Sequence, residues 1–136
     1  MRHRGFTLIE LVVVLTILAL IVGIVLPNVV GHVGASRHKT ARIQIEELGA
    51  ALETFRLETG RYPNSKEGLE ALVVQPNSLP RWYGPYLRKR SVPKDPWGVE
   101  YHYRSLDQDG VYELYTFGRD NIQGGEGEDA DIKSWQ

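Results

Sequence analysis

A single carboxylate, Glu10, lies near the start of a long apolar segment. The segment runs from Phe6 to Pro27, and Glu10 is its only charged residue. A carboxylate inside a membrane helix costs on the order of 2–3 kcal/mol, so it calls for a partner. Proteolytic cleavage after Gly5 would create a free ammonium group at Phe6, one helical turn from Glu10. Staggered helices packed side by side would then pair each ammonium with a neighbour's carboxylate.

The alternative for Glu10 is a purely local role. A carboxylate in the first turn of a helix is stabilised by the helix dipole, and a side chain near the membrane surface can extend toward water. The composition of the segment favours neither interpretation over the other.

The second candidate group is an acidic, glycine-rich stretch near the C-terminus. It contains Asp120, Asp129 and Asp131 around the run Gly124-Gly125-Glu126-Gly127. Calcium takes about 6–8 oxygen ligands, and glycines let the backbone turn its carbonyls inward. The stretch lacks the regular ligand spacing of an EF-hand. Eight acidic and two basic residues give residues 107–136 a net charge of −6, so a solvated acidic tail is the simpler interpretation of the residues alone.

The apolar segment is the first of the elements that must position these groups. A bilayer core about 30 Å thick requires roughly 20 apolar residues in a helix, so residues 6–27 are long enough to span it. Arg2 and Arg4 precede the segment, which places the N-terminus in the cytoplasm and the rest of the chain outside. A cleaved secretory signal peptide is the alternative, because Val33-Gly34-Ala35 loosely matches a cleavage site. The apolar run is, however, longer than a typical signal-peptide core and contains a carboxylate.

An amphipathic helix follows over residues 35–58. Its apolar residues recur at intervals of three and four: Ala41, Ile45, Leu48, Leu52 and Phe55. This spacing places them on one face of a helix and predicts that the face packs against a core. Gly60 and Pro63 are expected to end the helix.

The remaining sequence predicts a short helix and a small sheet. Asn64 and Glu67 have the spacing of a capping box, which predicts a short helix with Leu69, Leu72 and Val73 on its buried side. An irregular segment rich in aromatic residues and proline comes next. Residues 99–104 and 111–117 then alternate between apolar and polar, which indicates a β-hairpin. The expected fold class is α+β, with the long N-terminal helix packed on the short helix and an antiparallel sheet.

The composition of the 136-residue chain excludes several functional classes. The absence of cysteine excludes a disulfide scaffold, a thiol nucleophile and cysteine-based metal sites. A net charge of −1 gives no overall attraction to nucleic acid. The sequence contains neither a nucleophile elbow nor a phosphate-binding loop. These features argue against an enzyme, although a secreted binding or enzymatic domain stays the alternative if the apolar segment is a cleaved signal peptide.

The segment Gly5-Phe6-Thr7-Leu8-Ile9-Glu10 resembles the signal sequence shared by type IV pilins and the pseudopilins of type II secretion systems. In those proteins a prepilin peptidase cleaves after the glycine and methylates the new N-terminal phenylalanine, and the glutamate is implicated in docking. The resemblance therefore assigns cleavage and N-methylation to Gly5 and Phe6, and assembly to Glu10.

Further blocks resemble the major pseudopilin of the type II secretion system, the general secretion pathway protein G family. They are residues 58–63, 68–72, 84–87, 93–98 and 129–132, followed by Trp135. The resemblance implies a structural calcium ion in the C-terminal loop. Its implied ligands are Asp120, Asp129 and Asp131 together with backbone carbonyls, Phe117 among them.

The resemblance also implies the domain organisation and the function. Residues 1–5 would be a cleaved leader, residues 6–30 a transmembrane and polymerisation helix, and residues 31–136 a periplasmic globular domain of the type IV pilin-like α+β fold. The chain would be the major structural subunit of a pseudopilus that grows from the inner membrane into the periplasm and drives export of folded proteins across the outer membrane.

The implied partners are further copies of the chain in a helical filament, a prepilin peptidase, minor pseudopilins, an inner-membrane platform with its ATPase, and an outer-membrane secretin. Membrane lipid surrounds the helix before assembly, and nucleic acid is not a partner. A type IV pilin or a minor pseudopilin would share the anchor but not this function. The C-terminal loop and residues 93–98 argue against that alternative.

Overall fold

The computed structural model describes residues 6–106 and 111–135, and of residues 24–33 it describes the backbone but not the side chains. The chain divides into two compact units, an N-terminal unit (Met1–Gly34) and a C-terminal unit (Ala35–Gln136). The elements in chain order are helix α1 (Leu8–Thr59), a first 3₁₀ helix (Leu69–Leu72), strands β1 (His102–Leu106) and β2 (Val111–Thr116), a second 3₁₀ helix (Gly127–Asp129) and strand β3 (Ile132–Lys133).

The predicted apolar stripe of α1 is confirmed in the C-terminal unit. None of its members is more than 3% exposed: Ala41, Ile45, Leu48, Leu52 and Phe55. They form one core with residues from the first 3₁₀ helix and the sheet, including Leu72, Leu114 and Ile132. The helix ends at Thr59, and the Gly60 N–H donates to the Arg56 carbonyl at 2.8 Å, as the predicted stop at Gly60 requires.

The predicted capping box is present, but the helix after it is shorter and tighter than expected. Asn64 Oδ1 accepts from the N–H of Glu67 at 2.9 Å, and Glu67 Oε2 accepts from the N–H of Asn64 at 2.8 Å. Gly68 then adopts a φ of 59°, a left-handed conformation that interrupts α-helical geometry. The chain therefore continues as the 3₁₀ helix Leu69–Leu72, in which Leu69 and Leu72 are buried as predicted, while Val73 lies just after it and is only partly buried.

The predicted hairpin is also present. Strands β1 and β2 pair in antiparallel register from His102↔Tyr115 to Leu106↔Val111, and the predicted turn, residues 107–110, lies outside the described residues. Strand β3 adds a third antiparallel member through the Thr116↔Ile132 pair, giving the order β1-β2-β3. The sequence analysis did not predict β3. The α+β class is confirmed.

The irregular segment rich in aromatic residues and proline packs around the core. Tyr86 meets Phe55 edge to face, with ring centroids 5.4 Å apart, and Trp82 lies 5.8 Å from Tyr86. The Trp82 indole N–H donates to the Ala71 carbonyl at 2.9 Å. The irregular backbone is thus fixed by ring packing and by a hydrogen bond to the first 3₁₀ helix.

A buried carboxylate joins the block of residues 93–98 to strand β2. Asp95 is 4% exposed, and its Oδ1 accepts from the N–H groups of Trp97 at 3.0 Å and Val99 at 2.8 Å. Its Oδ2 accepts from the Thr116 hydroxyl at 2.6 Å. Because all three donors are provided by the protein, the burial of this charge is compensated. The sequence analysis did not identify this residue.

Candidate functional sites in the N-terminal unit and the C-terminal loop

Apolar side chains of the N-terminal unit are exposed on every side of α1. Leu8 is 82% exposed and Ile9 is 71% exposed. The following apolar residues are between 48% and 61% exposed: Leu11, Val12, Val13, Val14, Leu15, Ile17, Leu18, Leu20, Ile21 and Val22. Consecutive positions cover the whole circumference of a helix, and a helix that is apolar all round is normally buried in a membrane or a larger protein core.

Within the part of the chain whose side chains are described, no helix is both long enough and apolar enough to cross a membrane. The predicted transmembrane helix, residues 6–30, extends into residues 24–30, whose side chains lie outside the described residues. The transmembrane assignment stays a prediction.

Glu10 caps the start of α1 together with Thr7. Glu10 Oε2 accepts from the Thr7 N–H and from the Thr7 hydroxyl, both at 3.2 Å, and the Glu10 N–H donates to Thr7 Oγ1 at 3.3 Å. This reciprocal arrangement is a capping box, which satisfies N–H groups that the first helical turn leaves free. Its signature, Thr7-Leu8-Ile9-Glu10, is visible in the sequence, but the sequence analysis did not use it.

The cleavage site itself falls partly outside the described residues, because these begin at Phe6 and leave out Gly5. Phe6 is 86% exposed, so its side chain is not part of a core within the described residues. The roles of Gly5, Phe6 and Glu10 in cleavage, N-methylation and assembly stay predictions.

In the C-terminal loop, the backbone of residues 128–130 comes very close to two glycines. At Gly118, with a φ of 76°, a Cβ atom would lie 2.7 Å from the Glu128 carbonyl oxygen. At Gly125, with a φ of 83°, a Cβ atom would lie 2.5 Å from the Asp129 carbonyl oxygen. A side chain would fit at neither position, so both glycines are needed for the close approach. The loop therefore brings carbonyl oxygens and the acidic segment together, as the predicted metal site requires.

The Asp129 carboxylate is bound by an arginine of the same loop. Arg119 Nε lies 2.9 Å from Asp129 Oδ1 and Nη2 lies 3.0 Å from Oδ2, while Nη1 lies 3.3 Å from Glu128 Oε2. Hydrogen bonding to Asp129 raises the pKa of the Arg119 guanidinium. Asp129 is thus paired with a cation of the protein itself.

The other two aspartates predicted to bind metal also have protein partners. Asp131 Oδ1 accepts from the Gly124 N–H at 2.9 Å, and its Oδ2 lies 3.2 Å from Lys133 Nζ. Asp120 Oδ1 accepts from the Ile122 N–H at 3.1 Å. The Asp131 side chain is 8% exposed, so its partners hold it in a nearly buried position.

Phe117, predicted to contribute a carbonyl, belongs through its ring to an aromatic cluster on the sheet. Its ring centroid lies 4.9 Å from that of His102 and 5.0 Å from that of Tyr115. Tyr115 in turn meets Trp135 edge to face at 6.1 Å. The cluster anchors the chain where β2 leads into the acidic loop.

The donor chemistry of the loop fits calcium, because carboxylate and carbonyl oxygens are its preferred ligands. The side-chain arrangement does not yet form a site: among the described residues, no three acidic or histidine side chains are grouped so that they could hold a metal ion. The carboxylates instead form ion pairs and hydrogen bonds with Arg119, Lys133 and backbone N–H groups. The ligand set of Phe117, Asp120, Asp129 and Asp131 stays a prediction.

Comparison with known protein families gives two matches that together cover nearly the whole chain. Residues 28–135 match the family described as "Type II secretion system (T2SS), protein G". Residues 1–26 match the "Prokaryotic N-terminal methylation motif".

Individual relatives agree with the family match. The chain is 40% identical over 137 residues to the type II secretion system core protein G of Vibrio cholerae, covering 98% of this chain and 92% of that protein. It is 38% identical over 138 residues to the protein of the same name from Pseudomonas aeruginosa, covering 98% and 96%.

A solved structure is also similar. The crystal structure of the major pseudopilin from the type 2 secretion system of enterohaemorrhagic Escherichia coli matches with a TM-score of 0.61 and 29% sequence identity. The match covers 80% of this chain and 95% of that one.

Proposed function

Because the chain belongs to the protein G family of the type II secretion system, we propose that it polymerises from the inner membrane into a periplasmic filament that drives export of folded proteins across the outer membrane. The chain is a major pseudopilin, a structural subunit and not an enzyme. The family and the type IV pilin-like α+β fold that the sequence predicted are confirmed.

The exposed apolar surface of the N-terminal unit carries this proposal. The apolar side chains between Leu8 and Val22 are exposed. Burying them would stabilise the protein by about 25 cal/mol for each Å² of apolar surface removed from water. Lipid covers this surface before assembly, and sister helices cover it in the filament. Since lipid is as apolar as the helices, close packing and ion pairs decide which of the two environments is preferred.

The proposed topology follows from the same segment. The helix of residues 6–30 crosses the inner membrane once, with its N-terminus in the cytoplasm and residues 31–136 in the periplasm. Arg2 and Arg4 on the cytoplasmic side support this orientation. The partners that this position requires are the prepilin peptidase, the assembly platform with its ATPase, minor pseudopilins and the outer-membrane secretin.

Processing is proposed to occur between Gly5 and Phe6, followed by N-methylation of Phe6. The match of residues 1–26 to the methylation motif supports this step. In the assembled filament the new ammonium group would pair with the Glu10 carboxylate of a neighbouring subunit. The capping box holds that carboxylate at the helix start, close to where the new N-terminus forms.

The assembly role of Glu10 can be separated from its capping role with three variants. Glu10→Gln keeps a capping side chain but loses the charge, Glu10→Ala loses both, and Thr7→Ala weakens the cap but keeps the charge. All three should insert in membranes when produced with the secretion components. We expect pseudopili by electron microscopy from Thr7→Ala but not from either Glu10 variant. Filaments of normal number from Glu10→Gln would rule out the ion pair and leave Glu10 as a cap only.

We also propose that the C-terminal loop binds a structural calcium ion through Asp120, Asp129, Asp131 and the carbonyl of Phe117. The oxygen donors and the close backbone approach at Gly118 and Gly125 support this proposal. Binding requires Asp129 and Asp131 to exchange their present partners for the ion.

The calcium proposal is tested by thermal unfolding of the full chain in detergent, with calcium or with a chelator. At a calcium concentration about 100 times Kd, binding stabilises the folded state by about 2.7 kcal/mol, so the melting temperature should rise. Asp131→Asn, which keeps the side-chain shape, should lose most of this rise. An unchanged melting temperature in both proteins would show that the loop does not bind calcium.

A further inference from the structure

Arg119 is a cation placed inside the acidic loop, beside a carboxylate proposed to bind calcium. Its guanidinium donates to both oxygens of Asp129, at 2.9 Å and 3.0 Å, and reaches Glu128 at 3.3 Å. Its backbone N–H also donates to the Glu128 carbonyl at 2.9 Å. Side chain and backbone together therefore hold residues 128 and 129 against the start of the loop.

Arg119 would compete with a metal ion for the Asp129 carboxylate because of the geometry of this ion pair. Two parallel N–H···O bonds from one guanidinium engage both oxygens of the carboxylate and fix its orientation. A calcium ion is coordinated through the same oxygens. A calcium ion that takes Asp129 as a ligand must therefore weaken or break the contact with Arg119.

We propose that Arg119 is an internal counter-cation, which keeps the acidic loop folded without calcium and which calcium must displace from Asp129. This inference rests on the proposed calcium site and adds to it a residue that sets the affinity. The loop is then ordered at low calcium, and it binds the ion less tightly than the same carboxylates would without the arginine.

The second basic residue of the loop region offers a useful contrast. Lys133 makes a single contact with Asp131, in which Nζ lies 3.2 Å from Oδ2. The other oxygen, Oδ1, accepts from the Gly124 N–H. An ammonium group on a flexible stem is a point charge without the fixed fork of a guanidinium. Lys133 therefore restricts its carboxylate less than Arg119 restricts Asp129.

The test is calorimetric titration of calcium into the full chain in detergent. The variants are Arg119→Gln, Asp129→Asn and the double variant. Arg104→Gln is the matched control, because it removes the same charge from an ion pair with Glu113 outside the loop. Since exposed ion pairs contribute little, we expect Arg119→Gln to raise the calcium affinity roughly two- to five-fold. The increase should exceed that of Arg104→Gln and should disappear when Asp129 is already Asn.

A calcium affinity of Arg119→Gln equal to that of Arg104→Gln, or lower than that of the wild type, would overturn the competition. In that case calcium still binds the wild type, so the proposed site survives. If neither the wild type nor any variant binds calcium, the site and the competition both fail.

Hydrogen exchange in chelator tests the other half of the inference. Backbone amides of residues 124–130 should exchange faster in Arg119→Gln than in Arg104→Gln. Equal exchange in the two variants would show that Arg119 does not hold the loop.

Discussion

Leucine side chains are buried in the C-terminal unit of the chain and exposed in the N-terminal unit. In the C-terminal unit Leu48, Leu52 and Leu114 are at most 1% exposed, whereas Leu15 and Leu18 in the N-terminal unit are 57% and 52% exposed. Removing apolar surface from water is the main favourable term in folding and association. The C-terminal unit therefore completes its core within the chain, whereas the described side chains of the N-terminal unit leave apolar surface exposed, which the proposed lipid and filament environments would bury.

The strongest test of this contrast is a pair of identical substitutions in the two parts of α1. Leu52→Ala creates a cavity in the core and should lower the free energy of unfolding of the C-terminal unit by about 2–5 kcal/mol. Leu18→Ala should leave that free energy unchanged, because Leu18 contributes nothing to this core. Urea unfolding of the full chain in detergent, followed by near-ultraviolet circular dichroism, measures both. Equal losses in the two variants would contradict the division into one self-sufficient and one dependent unit.

The second test asks how far the C-terminal unit depends on its buried polar contacts. Asp95→Ala removes the acceptor of three hydrogen bonds and leaves the Thr116 hydroxyl buried, which should cost about 2 kcal/mol of unfolding free energy. Asp95→Asn should cost less, since its oxygen can still accept from the N–H groups of Trp97 and Val99. The same urea measurement compares the two, and an Asp95→Ala variant as stable as the wild type would show that this carboxylate does not hold the block of residues 93–98.

The smallest effect is a pH dependence within the C-terminal unit. Hydrogen bonds from Arg61 first, and from Ser78 and the Asn64 N–H, lower the pKa of Glu67 from 4.5 to about 2. Because the folded state prefers the carboxylate, this contribution is complete above about pH 4.5 and is lost as the pH falls toward 2. Glu67→Gln should cost about 1 kcal/mol at pH 7 and flatten the pH dependence over this interval.

A matched control for that prediction is Glu113→Gln, which breaks the Arg104–Glu113 pair. The Arg104 side chain is 63% exposed against 37% for Arg61, so the cost should be smaller. An equal cost in both variants, measured by urea unfolding across the pH range, would show that burial of the Arg61–Glu67 pair contributes nothing.

Periodic features of the fold could be predicted because each depends on neighbours in sequence. The core stripe from Ala41 to Phe55 follows from helical spacing, and the hairpin follows from alternation. Strand β3 has only Ile132 and Lys133, too few residues to show a period. Asp95 depends on Thr116, which is distant in sequence, so its burial has no local signal.

The candidate sites could be predicted from the sequence only in part, because their side-chain partners depend on the folded backbone. The sequence pattern Thr7-x-x-Glu10 predicts a cap, and the same carboxylate beside an apolar segment also fits a partner within the membrane, so the pattern alone does not decide between the two roles. In the C-terminal loop, the sequence predicts Asp129 as a metal ligand but carries no signal that Arg119 binds it. Pairing between the two depends on how the loop folds back at Gly118 and Gly125, which spacing alone does not reveal.

The most direct measurement of the central claim is cross-linking through the N-terminal unit in cells that contain the secretion apparatus. The chain has no cysteine, so Leu18→Cys places a single reactive group on the exposed apolar helix. Oxidation should give disulfide-linked dimers, and these should disappear when Glu10→Gln is added to block assembly. If oxidised Leu18→Cys stays monomeric while secretion of a cargo protein proceeds normally, or if the dimers persist with Glu10→Gln, the claim that this surface is covered by sister subunits in the filament is wrong.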